Sequence, residues 1–311
     1  MEFETVAEGL LLAEGPVAMP DGSVLLVDVF GATLWRAWGD GRSEIVATIG
    51  GGPNGAALGP DGALYIANNG GFRFTIGDDG RPVMQPELPD DYECGRIERV
   101  DLATGRVERL YAACGDHALR GPNDLVFDRH GGMWFTDLGK STARTRDVSG
   151  LYYARADGSL IEEAYFGAIS FNGVGLSPDE TRVYAADTFT GRLWEFAIEA
   201  PGKLCRADPV PVSGRLVGKA GGASIFDSLA VSEAGNICVA TIATEAGVLG
   251  GITTFTPDGQ RNFLELPDAL VTNICFGGPD RRTAYITCAG KGMLVRARWP
   301  EPGLALNYCD Y

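Results

Sequence analysis

The chain has 311 residues with 45% apolar content, enough for a large core, and length alone leaves two ordinary domains or one large domain open. Its formal charge of −15 argues against nucleic acid as a partner, because a polyanion gains nothing from counterion release, while divalent cations stay compatible. Glycine stands at 44 residues with no three-residue period, which points to turn-dense β-structure.

The N-terminal stretch "MEFETVAEGLLLAEGP" has no basic region and too short an apolar run for a secretory signal or a membrane span. The seven cysteines are odd in number, widely spaced and never C-x-x-C, so neither a disulfide framework nor a zinc site is expected. Cys238, Cys275 and Cys288 fall in strand-like runs and read as small buried hydrophobes. A reducing cytoplasm is the expected location, with no membrane partner.

Six stretches then recur in chain order, each an apolar run, a polar turn and a second apolar or aromatic run: "AMPDGSVLLVD", "ALGPDGALYIAN", "VFDRHGGMWFTD", "LSPDETRVYAAD", "VSEAGNICVAT" and "FGGPDRRTAYIT". Asp-Gly or a near relative flanked by β-formers is a hairpin signal. Most are followed by another strand-turn-strand stretch, such as "TLWRAWGDGRSEIVATI" or "GGITTFTPDGQRNFLEL". Four strands per unit and six units of roughly 52 residues predict an all-β chain, a six-bladed β-propeller with four-stranded blades over 1–311 as a single domain. A two-sheet sandwich gives no reason for the six-fold repeat. Between the second and third hairpins lies a Gly/Pro/Asp-rich insertion at about 70–95, read as a lid or binding loop.

Seven positions before each hairpin turn stand Glu14, Asn54, Asn123, Asn172, Asp227 and Asn273. Equivalent blade positions lie on a ring around the channel axis, so these oxygens are expected to converge. Carboxylates facing one another there repel and desolvate, and a bound cation removes that cost. An all-oxygen set suits one hard divalent ion, Ca²⁺ first, with Mg²⁺, Mn²⁺ and Zn²⁺ behind it. With two histidines in the chain, three-His zinc sites are excluded.

At these residues the chain resembles the SMP-30/gluconolactonase/luciferin-regenerating-enzyme family, which includes regucalcin. The matching pieces are "EGP" at 14–16, "GPNDLVFDRHGGMWFTD" at 121–137, "NGVGLSPDETRVYAADT" at 172–188, "FDSLAVSEAGNICVA" at 226–240 and "TNICFGGPDRRTAYIT" at 272–287. The resemblance implies a six-bladed propeller with one divalent ion held by Glu14, Asn172 and Asp227, Asn123 beside metal and substrate, and hydrolysis of lactones, mostly of sugars. Three positions depart from the family pattern: Ser228 and Phe226 where Gly and often Pro are usual, and Gly121 where animal sugar lactonases carry an Arg that holds substrate.

The expected chemistry is metal-assisted opening of a small-molecule lactone or ester, with the ion stabilising the oxyanion and a carboxylate serving the attacking water. Asp227 is the expected base, with Asp124 as substitute or as a mere turn cap. Asn54, Asn123, Phe171, Phe226 and His117 are expected at the substrate. The aromatics of mouth-side loops, with Phe30, Phe74 and Phe189, suggest a less polar or aromatic lactone. His130 sits in a turn, no G-x-S-x-G elbow or Ser-His-Asp set is readable, and the strand-ending Asp28, Asp137 and Asp187 read as structural. Phosphotriesterase-like or lyase/isomerase chemistry at the same metal is the rival reading, and a non-catalytic Ca²⁺-binding propeller is the rival of another class.

Overall fold

Each of the six hairpins folds as expected into the two inner strands of a four-stranded antiparallel sheet. The computed structural model describes residues 1–78, 80–205 and 214–309, so residue 79 of the insertion lies outside the described residues. Among the described residues there is no helix. From the axis outward, the first blade is Ala13–Ala18, Val24–Asp28, Thr33–Ala37 and Ser43–Thr48. The second is Pro53–Leu58, Leu64–Asn68, Arg96–Val100 and Val107–Tyr111; the third is Pro122–Phe127, Gly132–Asp137, Ser149–Arg155 and Ile161–Ala168. The fourth runs Phe171–Leu176, Arg182–Asp187, Arg192–Ala200 and Arg215–Lys219, with the short Lys203–Leu204 also on its third strand. The fifth is Ser224–Val231, Ile237–Ala243, Gly251–Phe255 and Arg261–Glu265.

The sixth blade has only three strands from the C-terminal part, Val271–Gly277, Thr283–Cys288 and Met293–Arg298, and takes its outermost strand, Glu4–Glu8, from the start of the chain. This pairing joins the two ends of the chain across the seam of the ring and covers the edge of Met293–Arg298, leaving a short outermost strand like those of the other blades. Val6 and Ala7 are buried by it.

The core is six clusters, one between each pair of neighbouring blades. Phe171, Val183, Phe196 and Trp134 fill the space between the third and fourth blades, and Phe226, Val239 and Phe255 that between the fourth and fifth. Burial of such large apolar side chains stabilises each by roughly 1.5–3 kcal/mol. Cys238 and Cys288 are buried in this packing, as expected of small hydrophobes, and Cys275 is partly buried.

Asp28 and Asp137 end their strands by accepting backbone N–H groups: Leu11, Leu12 and Gly31 for Asp28, and Arg120, Gly121 and Gly139 for Asp137. They tie the turns at one end of the channel. The insertion leaves the second blade at this same end, between its second and third strands. It forms a hairpin, Phe74–Ile76 on Pro82–Met84. Phe74 packs on Phe30 of the first blade at 4.5 Å, the Pro86 carbonyl accepts the Ala143 N–H of the third at 2.9 Å, and the Arg81 guanidinium lies against Gly292 of the sixth.

Candidate active site

All six inner strands break register at their ring residue: between Glu14 and Val17, Pro53 and Ala56, Pro122 and Leu125, Phe171 and Val174, Phe226 and Leu229, and Val271 and Asn273. A bulge bends its strand and re-aims a side chain, so the repeat of bulges carries the six polar residues to one level of the channel. Close approach of the strands there demands glycine. A Cβ at Gly55 would stand 2.5 Å from the Asp124 Cα, and one at Gly173 2.6 Å from the Ser228 Cα.

Glu14, Asn54, Asn123, Asn172, Asp227 and Asn273 are all buried. Glu14 Oε2 accepts the Gly15 N–H at 2.6 Å and the Asn273 amide at 2.8 Å. Burial nevertheless pushes the Glu14 carboxyl up to about 7. Asp227 is raised well above the usual carboxylate range by burial and by the charges of Glu14 and Asp124, against a hydrogen bond from Asn172. Ser228, one of the departures from the family pattern, donates its hydroxyl to Asn172 Oδ1 at 3.4 Å. Thr136 holds the level from behind, donating to the Asn172 carbonyl and accepting the Asp124 N–H. Thr272 does the same between Ala13 and Thr287.

Asp124 is the residue that the sequence underweights. It does cap its own turn, its Oδ1 accepting the Leu125 N–H at 2.9 Å. It is also buried and pushed up to about 7, first by burial and then by the Glu14 charge. Two adjacent polar residues at a bulge are the available signal, since a bulge lets neighbouring side chains share one side of the strand.

The other expected substrate residues are placed elsewhere. Phe171 and Phe226 are 1% and 0% exposed, their rings spent against Phe196 and Phe255 between blades. Successive residues of a strand point to opposite faces, so the residue before a ring residue enters the inter-blade space. His117 is exposed in a small hairpin, Ala113–Cys114 on His117–Ala118, that packs towards the outermost strand of the third blade. Phe30 and Phe189 remain on the mouth-side turns and Phe74 on the insertion hairpin against Phe30, and Phe189 is exposed under the Arg146 guanidinium.

Below the ring the channel widens into a cavity of about 90 Å³ walled by Val17, Ala56, Val126, Leu176 and Leu229. The C-terminal segment floors it through Leu304, whose N–H binds the Val231 carbonyl, and Asn307, whose amide binds Phe127 and Glu180.

The site's fit to a cation can be judged on its acceptors. Among the described residues Asn54 Oδ1 and Asn123 Oδ1 are buried oxygens with no hydrogen-bond partner; Asn123 adjoins Asp124 in sequence, Gly55 next to Asn54 packs against Asp124, and the Glu14 charge raises the proton affinity of Asp124 and Asp227. Unpaired buried acceptors next to a carboxylate set leave a deficit that a positive ion fills. Among the described residues no three His, Cys, Asp or Glu side chains alone form a metal cluster. A cation here needs amide oxygens as well as carboxylates, which is the donor set of a hard ion.

Fold and site together define a six-bladed propeller with a buried oxygen ring across its channel. Residues 12–290 match the SMP-30/Gluconolactonase/LRE-like region, and the chain belongs to that family. It is 26% identical over 329 aligned positions to a gluconolactonase of Zymomonas mobilis, covering 95% of this chain and 81% of the relative. It is 29% identical to lactonase drp35 of Staphylococcus aureus over 64% of this chain and 55% of the relative, so that match spans just over half of the relative's length. Among solved structures, a gluconolactonase of Xanthomonas campestris superposes with a TM-score of 0.73 at 20% identity, covering 96% of this chain and 89% of that one. A protein titled calcium-binding regucalcin, from Agrobacterium tumefaciens, superposes with a TM-score of 0.69 at 19% identity, covering 97% and 99%.

Proposed function

We propose that the chain is a metal-dependent lactone hydrolase whose centre is the buried ring. The observation that carries this reading is the pairing of mutually destabilised carboxyls, Glu14, Asp124 and Asp227, with the unpartnered oxygens of Asn54 and Asn123. The names of the curated relatives, a gluconolactonase and a lactonase, supply the reaction class.

Glu14, Asn172 and Asp227 would hold one divalent ion, Ca²⁺ ahead of Mg²⁺, Mn²⁺ and Zn²⁺. When bound, the ion supplies a Lewis acid for the lactone carbonyl. The chain's own groups do the rest. Asn54 and Asn123, whose oxygens lack partners among the described residues, face the substrate and accept an O–H group of a substrate hydroxyl or of the attacking water. Asp227 takes the proton of the attacking water at a carboxylate oxygen and later returns it to the ring-opening alkoxide. Asp124, which is not a proposed ligand and whose carboxyl sits near 7, is the alternative proton acceptor. The depth of the ring keeps bulk water from the carboxyls. The substrate is read as a less polar lactone, because Phe30 and Phe189 lie on mouth-side turns with Phe74 of the insertion hairpin against Phe30, and Gly121 offers no side chain to a sugar acid.

The test is a lactone panel run on the wild type, Asp227→Asn and Glu14→Gln, with elemental analysis of each. Asp227→Asn should lose at least about 100-fold in kcat, and Glu14→Gln should lose bound metal. Retention of full metal and activity by both variants would remove the ring from the chemistry. Faster turnover of gluconolactone than of an alkyl-substituted lactone would reject the substrate preference alone.

A further inference from the structure

Lys140, in the turn between the second and third strands of the third blade, is buried at 5% exposure. An ammonium out of water is costly unless it is paired, and chains usually place an apolar residue at such a position. The Lys140 backbone N–H donates to Asp147 Oδ2 at 3.1 Å, but its amine has no carboxylate at hydrogen-bond distance among the described residues. Asp137 is taken up by three backbone N–H groups and Asp147 by the Arg120 guanidinium. Both act on the amine only at longer range.

Among the described residues, the hydrogen-bond and ring partners of the amine are Asn69, which leads into the insertion, and Gly71, Phe72 and Tyr92 within it. Nζ donates to Asn69 Oδ1 at 3.0 Å and to the Gly71 carbonyl at 2.6 Å. It sits 4.2 Å from the centre of the Phe72 ring and 5.3 Å from that of Tyr92. These four residues come from both ends of the insertion. Tyr92 is itself fixed to the third blade by its phenol on the Arg120 carbonyl at 2.6 Å. Beyond this base the hairpin leaves Ile76, Val83 and Met84 exposed and meets the turns of the first, third and sixth blades through Phe74, Pro86 and Arg81. The base shares with those few contacts the placing of the insertion on the ring's side of the channel. The base also leads to the ring, since the Asn69 N–H binds the Gly52 carbonyl at 2.9 Å, two residues before Asn54.

We infer that Lys140 is a positioning residue: its amine latches the insertion as a cap beside the mouth and thereby sets affinity for bulky substrates. Lys140 lies apart from the proposed metal ligands and touches none of them. The affinity part rests on the lactone-hydrolase reading; the latch itself does not.

The experiment compares wild type, Lys140→Met and Lys140→Gln by hydrogen exchange with mass spectrometry over residues 72–92. Steady-state kinetics on γ-butyrolactone and on the longer γ-nonalactone accompany it. Loss of two hydrogen bonds should speed exchange of that segment by about tenfold or more in Lys140→Met, while strand Arg182–Asp187 exchanges as in the wild type. KM for γ-nonalactone should rise several-fold at nearly constant kcat and unchanged metal content, with γ-butyrolactone little affected. Lys140→Gln, which keeps a donor, should fall between the two. Wild-type exchange over 72–92 in both variants would overturn the latch, and a fall in kcat with KM unchanged would overturn its role in substrate affinity. If Lys140→Met does not fold, Lys140→Gln decides by the same readings. If the wild type opens neither lactone, the functional reading fails, and the exchange data still decide the latch.

Discussion

Single side chains in this protein are placed by burial more than by partners. Lys140 shows how a charge responds to that. Burial pushes its ammonium down to about 7, opposed by Asp137 and Asp147 and helped by Arg120, with the neutral Tyr92 phenol facing it. The unfolded chain holds the proton to about pH 10.4, so between about 7 and 10 the unfolded state binds more protons. Stability contributed by this group is therefore lowest below pH 7, where the ammonium must stay buried, and rises as pH rises above that. The neutral amine keeps two N–H donors for Asn69 and Gly71. Urea unfolding of wild type and Lys140→Met at pH 6.5 and 9 should show the wild type gaining roughly 2 kcal/mol on the variant. An equal change in both proteins would place the buried amine's titration outside this range. The residue scale is also where sequence reading stopped being sufficient. The polar identity at six equivalent positions was legible because a period repeats it. Whether Asp124 only caps its turn was not, because capping a turn and sharing the field of Glu14 use the same carboxyl. Phe171 and Phe226 border ring residues in sequence yet point to the other face of the strand.

Hairpins were the most legible elements, because Asp-Gly turns and alternating apolar residues act within a few positions of each other. The bulges left no such trace, for a register shift depends on the neighbouring strand rather than on a local residue type. His117 misled for a similar reason. Asn123 lies six positions further on, and an extended segment of that length reaches about 20 Å, enough to run from the rim to the axis. The strand that completes the sixth blade was equally hidden, since "ETVAE" at the start of the chain has no turn to announce its partner at Met293–Arg298. That partnership makes a prediction at its own scale. Deleting residues 1–8 removes the outermost strand, takes Val6 and Ala7 out of the cluster between the sixth and first blades, and leaves Met293–Arg298 as an open edge. Several backbone hydrogen bonds and the burial of Val6 go with it, a cost of about 3–5 kcal/mol. The urea midpoint should fall accordingly, and light scattering should show concentration-dependent association through the open edge. A truncated chain with wild-type midpoint and a monomeric profile would mean that the ring closes without this strand.

In the whole molecule the ring residues connect blades that the sheets keep separate. Glu14 belongs to the first blade, Asn172 to the fourth and Asp227 to the fifth, so one ion would bind across the channel rather than within a sheet. Without it, the buried carboxyls of Glu14, Asp124 and Asp227 act on one another, and their repulsion opposes closure of the propeller. An ion that binds only the closed state stabilises it by mass action, by about 2.7 kcal/mol at a free concentration of about 100 times Kd. For a chain of this size that corresponds to a rise in Tm of roughly 5 °C. Because an ion held by Glu14, Asn172 and Asp227 would tie opposite sides of the ring, the whole thermal transition should move as one rather than split into an early and a late phase. Calorimetry of the chelator-treated protein with and without added Ca²⁺ reads this directly, and Glu14→Gln should abolish the shift while keeping a cooperative transition. Magnesium serves as the comparison, since its demand for compact octahedral geometry suits a ring of amides and carboxylates less well than calcium's looser coordination. An unshifted transition with calcium, magnesium and manganese alike would leave the oxygen ring as a purely structural hub of hydrogen bonds.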